Sequence, residues 1–99
     1  MNTYVILRRS GWESPGDLQE AAERSSKVGN EDMPDEVRWI RSYVLSEDGG
    51  SVGTVCIYQA TDEEAIRKHG ELADLPVDEV IPVADTVIVR PDPEPAATA

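Results

Sequence analysis

The chain has 99 residues, with 9 Lys+Arg against 20 Asp+Glu and a formal net charge of -11. A chain of this length buries one modest core rather than two, and its negative field repels phosphate backbones and anionic membrane surfaces, so nucleic acid and membranes are not expected partners. No apolar run is long enough to span a bilayer, and the opening Met1-Asn2-Thr3-Tyr4 lacks a basic segment followed by an apolar one, so a cytoplasmic location is expected.

Thr3-Tyr4-Val5-Ile6-Leu7-Arg8 is a short β-branched and apolar run that stops at Ser10-Gly11 and reads as the first strand. Its two faces carry Tyr4, Ile6 and Arg8, and Val5 and Leu7. Ser14, Pro15 and Gly16-Asp17 have the chemistry of a helix start: Ser caps free N–H groups, Pro suits the first turn and the acid meets the positive end of the helix. Leu18, Ala21, Ala22, Ser25 and Val28 then recur at helical spacing, and Gly29 is expected to close the helix. Residues 30–36 carry four acids and Pro34 without periodicity, which predicts a solvated connection.

From Val37 to Leu45 the residues alternate Val37, Trp39, Arg41, Tyr43 and Leu45 against Arg38, Ile40, Ser42 and Val44, the period of a second strand. The turn residues Ser46-Glu47-Asp48-Gly49-Gly50-Ser51 join it to Gly53–Gln59 as a hairpin. Thr61 followed three residues later by Glu64 reads as a capping box, and Ala65, Ile66, His69 and Leu72 or Ala73 continue at helical spacing until Pro76. Glu79–Val83, continued through Val87–Val89, supplies the last strand, and Pro82 and Asp85 make it an edge strand or a bulged one. A single domain is expected over residues 1–90. Residues 91–99, with three prolines and no apolar periodicity, are expected to form a disordered tail.

The order β-α-β-β-α-β predicts an α+β, ferredoxin-like fold, a four-stranded antiparallel sheet with two helices on one face. The plain aliphatic set, Val5, Leu7, Ile40, Val44, Val55 and Ile57, is expected to face the helices. The opposite face then carries Tyr4, Ile6, Arg8, Trp39, Arg41, Tyr43, Thr54, Cys56 and Tyr58, and a patch of that kind marks an interface or a groove. A homodimer packed sheet on sheet is the expected cover. The alternative is a pocket between the sheets for a small-molecule ligand; in either case Tyr4, Arg8, Trp39, Arg41, Tyr43 and Tyr58 are the candidate lining.

His69 is the one histidine of the chain, and a lone histidine is more often a packed side chain than a ligand. Cys56 is the one cysteine, so no intramolecular disulfide forms, and a mid-strand thiol is inert unless a positive neighbour activates it, for which Arg8 and Arg41 are candidates. There is no Cys-x-x-Cys, no His-Glu-x-x-His and no glycine-rich phosphate loop, so neither a nucleotide nor an organic cofactor is indicated.

Four motifs in succession, Val37-Arg38-Trp39 with Ser42-Tyr43-Val44, Cys56-Ile57-Tyr58-Gln59-Ala60, Ala65-Ile66-Arg67-Lys68-His69, and Leu75-Pro76-Val77-Asp78-Glu79-Val80, resemble a small bacterial family long catalogued as a domain of unknown function, one actinobacterial member of which is described as nickel-binding. The resemblance runs from about Tyr4 to Val89. It implies a ferredoxin-like fold, usually dimeric, with Trp39, Tyr43, Cys56, Tyr58 and His69 at its distinctive positions, and nickel or another divalent transition metal as the bound species. Where relatives commonly have a histidine between the Trp and Ser-Tyr positions, this chain has Arg41, and a guanidinium binds no metal. The implied metal site is therefore His69 helped by Cys56, an acid or a second subunit. The expected function is a small cytoplasmic metal-binding protein, with the sequence leaning away from an enzyme while leaving that open. One alternative is a dimeric α/β-barrel small-molecule binder or enzyme working through His69 or Cys56, including a thiolate–imidazolium pair if the two meet. The other is a non-catalytic interaction module.

Overall fold

The computed structural model describes residues 1–93. Strand β1 (Asn2–Trp12), helix α1 (Pro15–Lys27), strand β2 (Val37–Ser46), strand β3 (Val52–Ala60), helix α2 (Glu63–Ala73) and strand β4 (Glu79–Pro82) follow in the expected order. The strands form one antiparallel sheet ordered β2-β3-β1-β4, the ferredoxin-like arrangement.

Local chemistry explains where the helices begin and end. Ser14 caps α1 by accepting from the Asp17 N–H at 3.3 Å. The helix does not stop at Gly29: after Lys27 the chain widens into a π-turn over Val28–Asp32, closed by the Met33 N–H on the Val28 carbonyl at 2.9 Å. For α2 the cap is Asp62, which accepts from the Ala65 N–H at 2.8 Å, in place of the expected Thr61. The carboxylate is the stronger acceptor and sits next to the first helical residue.

The assignment of sheet faces is corrected by the structure. Tyr4, Ile6, Arg8, Thr54, Cys56 and Tyr58 lie buried beneath the helices, whereas Val5, Leu7, Val55 and Ile57 are only half-buried on the outer side, and Ile40 and Val44 are exposed. The cause is the helices' own inner residues. Ala21 and Ser25 of α1 are small and the space beneath that helix is filled by large side chains rising from the sheet, while α2 adds Ile66 and His69 beside Ala65 and Ala73. The strands β2 and β3 also lose register between Trp39 and Arg41, where Ile40 forms a bulge. Trp39 thus stays opposite Tyr58 on the helix side, while Arg41 and Tyr43 turn to the outer side opposite Ile57 and Val55. The expected single aromatic face is divided between the two.

β4 is a four-residue edge strand, as its proline requires, and Val87, Ile88 and Val89 do not extend it; they are 85%, 79% and 84% exposed. Val83 donates to the Thr3 carbonyl at 2.9 Å. The segment that follows reaches the opposite sheet edge, where Asp92 accepts from the Tyr43 hydroxyl at 2.6 Å and pairs with Arg41. From residue 94 onward, the tail expected over 91–99 lies outside the described residues. No helix is long and apolar enough to cross a membrane among the described residues.

Replacing Asp62 with Ala should lower stability by about 1 kcal/mol through loss of the α2 cap, whereas Thr61→Ala should change it by less than about 0.5 kcal/mol. Urea denaturation of the two variants measures the difference, and equal losses would contradict the assignment of the cap.

Candidate functional site

Tyr58 stands at the centre of the helix side of β3, 1% exposed. Its hydroxyl meets Ser25 Oγ of α1 at 2.8 Å, its ring stacks on Trp39 of β2 at 6.1 Å between centroids, and the His69 ring of α2 meets it edge-on at 5.4 Å. The Arg8 guanidinium of β1 lies 5.8 Å from the same ring centroid. Burial pushes the Tyr58 hydroxyl up to about 12, against the opposing pull of the Ser25 hydrogen bond and the Arg8 charge, so it stays neutral at physiological pH.

Two cavities open on either flank of this cluster. The smaller, about 100 Å³, lies at the α1 end and is lined by Gly29, Asn30, Trp39, Tyr58 and His69. His69 is 1% exposed there, and its Nε2–H donates to the Ser25 carbonyl at 3.0 Å, because a carbonyl can only accept. The ring lone pair is thereby left on Nδ1. Burial holds the imidazole below its usual value; the Ser25 carbonyl raises it and the Arg8 charge lowers it further.

The larger cavity, about 470 Å³, lies between α1 and the sheet and is lined by Arg8, Trp12, Trp39, Thr54, Cys56 and Tyr58 among others. Its shape depends on irregular strand geometry. β1 loses register with β3 between Arg8 and Trp12, with Ser10 at φ 46°. Gly53 permits this close approach, since a Cβ there would stand 2.5 Å from the Arg8 carbonyl oxygen. The detour returns Trp12 to the helix side opposite Val52, where it walls the cavity. At the rim, Trp39 Nε1 donates to Ser42 Oγ at 2.8 Å across the Ile40 bulge. Cys56 Sγ donates to Thr54 Oγ1 at 3.3 Å.

Arg8 is the anomaly of the site. It is 1% exposed, and among the described residues none of its Nε, Nη1 and Nη2 atoms has a hydrogen-bond partner. A buried cation without a counter-charge costs several kcal/mol, so such groups are normally paired.

Of the candidate residues, the fold gathers Arg8, Trp39, Cys56, Tyr58 and His69 around one ring. Tyr4 packs in the apolar core, Arg41 reaches the cavity rim while paired with Asp92, and Tyr43 stands outside. His69 and Cys56 line different cavities that share Tyr58. Trp12 and Ser25 were not anticipated, and Thr54 was placed on the patterned face but not among the lining candidates. Ser25 had one visible signal, a hydroxyl within the otherwise apolar stripe Leu18, Ala21, Ala22, Val28.

Nickel(II) takes imidazole, carboxylate, thiolate or water donors, usually several of them. Among the described residues no three His, Cys, Asp or Glu side chains converge, and His69 offers one nitrogen. The described donors of one chain therefore do not form a complete nickel centre.

Because the folded imidazole titrates below 6.5, the unfolded chain binds a proton there that the folded chain does not. Its stabilising contribution is present above that value and is lost as the pH falls below it. The stability advantage of the wild type over His69→Gln should accordingly shrink between about pH 7.5 and 5. Urea midpoints across that range would reveal it; a constant difference would contradict it.

A family described as "Nickel responsive protein SCO4226-like" matches residues 4–83. The crystal structure of SCO4226 from Streptomyces coelicolor A3(2) superposes with a TM-score of 0.67 at 15% identity, covering 86% of this chain and 99% of that one. At that identity the likeness shows the shared fold. No curated protein matches the sequence. The family match spans most of the chain and every element that builds the site, and the protein belongs to the nickel responsive SCO4226-like family.

Proposed function

We propose that the protein is a small, non-enzymatic binding protein in a nickel response, and that it binds nickel or another divalent transition metal with His69 as its imidazole donor. The observation that carries this reading is the family match across residues 4–83. The position of the one imidazole, lining a cavity between α1 and β2, supports His69 as the donor. Since one chain supplies too few convergent donors, the coordination sphere is completed from outside it, by a second copy or by a small chelator. Cys56 stands in the neighbouring cavity and joins the site only if the Tyr58 ring moves.

The half-buried outer sheet face, with Val5, Leu7, Val55 and Ile57, supports a homodimer as the working form. Light scattering on the untagged protein should then return a dimer mass, and a monomer at all accessible concentrations would count against it.

Calorimetric titration of untagged, metal-free protein with nickel, cobalt, zinc and copper is the direct test. Binding in the micromolar range or tighter, lost in His69→Ala, is expected. Unchanged stoichiometry in the variant would remove His69 from the site, and no uptake of any of the four ions would overturn the metal reading.

A further inference from the structure

Apart from the question of metal, the cavity under α1 combines features that point to a ligand of its own. Arg8 lines it, 1% exposed, with all three guanidinium nitrogens unpartnered. A buried amine or carboxyl can neutralise itself, whereas a guanidinium stays cationic and retains five donors in a planar fork. The group that completes it must carry negative charge and acceptor oxygens.

Among the described residues no Asp or Glu lines the cavity, although the sequence contains 20 of them, and the charged side chains that do are Arg8 and Arg41. Arg41 is already paired with Asp92 at the rim. Beside Arg8, Thr54 Oγ1 accepts from Cys56 Sγ, which leaves the threonine hydroxyl proton available to a ligand oxygen. The rest of the wall is largely apolar, including Leu18, Ala21, Val44 and both tryptophans of the chain, Trp12 and Trp39.

We infer that this cavity binds a small organic carboxylate: the head group meets Arg8 and Thr54, and an apolar body lies against Trp12 and Trp39. A volume of about 470 Å³ suits a small molecule with a ring or a short aliphatic chain. One interior cation matches a monoanion, and the apolar walls disfavour a compact, strongly hydrated dianion such as phosphate. The net charge of -11 makes this inward-facing positive charge a feature against the field of the molecule, not a consequence of it.

Both tryptophans line the cavity, so their emission reports its occupancy directly. Untagged protein, with no metal added, would be titrated with hexanoate and benzoate, with hexanamide and benzamide, and with inorganic phosphate. The expected result is saturable quenching or shift by the carboxylates, a preference over the matching amides of about tenfold or more, and weaker binding of phosphate. Arg8→Met should abolish the response to carboxylates while remaining folded, since an apolar side chain replaces an unpaired charge, and Arg67→Met, on the exposed side of α2 outside the cavity, should retain it. Equal affinity for carboxylate and amide, tighter binding of phosphate, or no response to any of these probes in the wild type would overturn the inference. The comparison of carboxylate with amide is made on the wild type and decides the matter even if Arg8→Met does not fold.

Discussion

The packing of Tyr58 beneath the two helices is the interaction on which the rest of the molecule depends. One side chain of the central strand β3 contacts Ser25 of α1, His69 of α2, Trp39 of β2 and Arg8 of β1. A tyrosine can do this where a leucine could not, because its ring fills the depth left by small helix residues while its hydroxyl finds a partner at the far end. Without the Ser25 hydroxyl, a polar atom would be stranded in the core at a cost of about 1–3 kcal/mol. The helices are thus positioned by a mixed apolar and polar contact, and the sheet face beneath them is aromatic for that reason.

The same arrangement separates two kinds of chemistry. On one flank a neutral, buried imidazole is tied to a backbone carbonyl; on the other, an unpaired guanidinium faces an apolar cavity. Both cavities share the Tyr58 ring in their lining. Membership of a nickel responsive family and the proposed carboxylate site are compatible, since the two proposals draw on different residues: His69 for metal, Arg8 and Thr54 for the carboxylate.

Departures from ideal strand geometry build the cavity. The register loss in β1 that Gly53 allows sets Trp12 opposite Val52 on the helix side, and the Ile40 bulge in β2, just after Trp39, turns Arg41 and Tyr43 outward. Regular pairing would have left Trp12 on the same face but opposite Gly50, beyond the end of β3, and would have kept Arg41 and Tyr43 on the helix side. Such bulges are common beside functional sites because they re-aim single side chains without altering the fold.

Much of the architecture was legible in the residues themselves. The spacing of apolar side chains, Ser14-Pro15 at the start of α1 and the Gly-rich hairpin between β2 and β3 are local signals, and local signals determine which element forms and in what order. The family resemblance, carried by motifs around Trp39, Cys56, His69 and Leu75, was equally readable. Which sheet face meets the helices was not, because alternation divides a strand into two faces without saying which is covered. That depended on the residues facing it across the interface, small Ala21 and Ser25 on α1 and Ile66 and His69 on α2, a property of the partner elements. The unpaired state of Arg8 was further out of reach: the sequence by itself determined that a guanidinium would sit mid-strand, and only the tertiary structure decided that it is buried there with no carboxylate beside it, since desolvation and pairing are properties of the assembled fold.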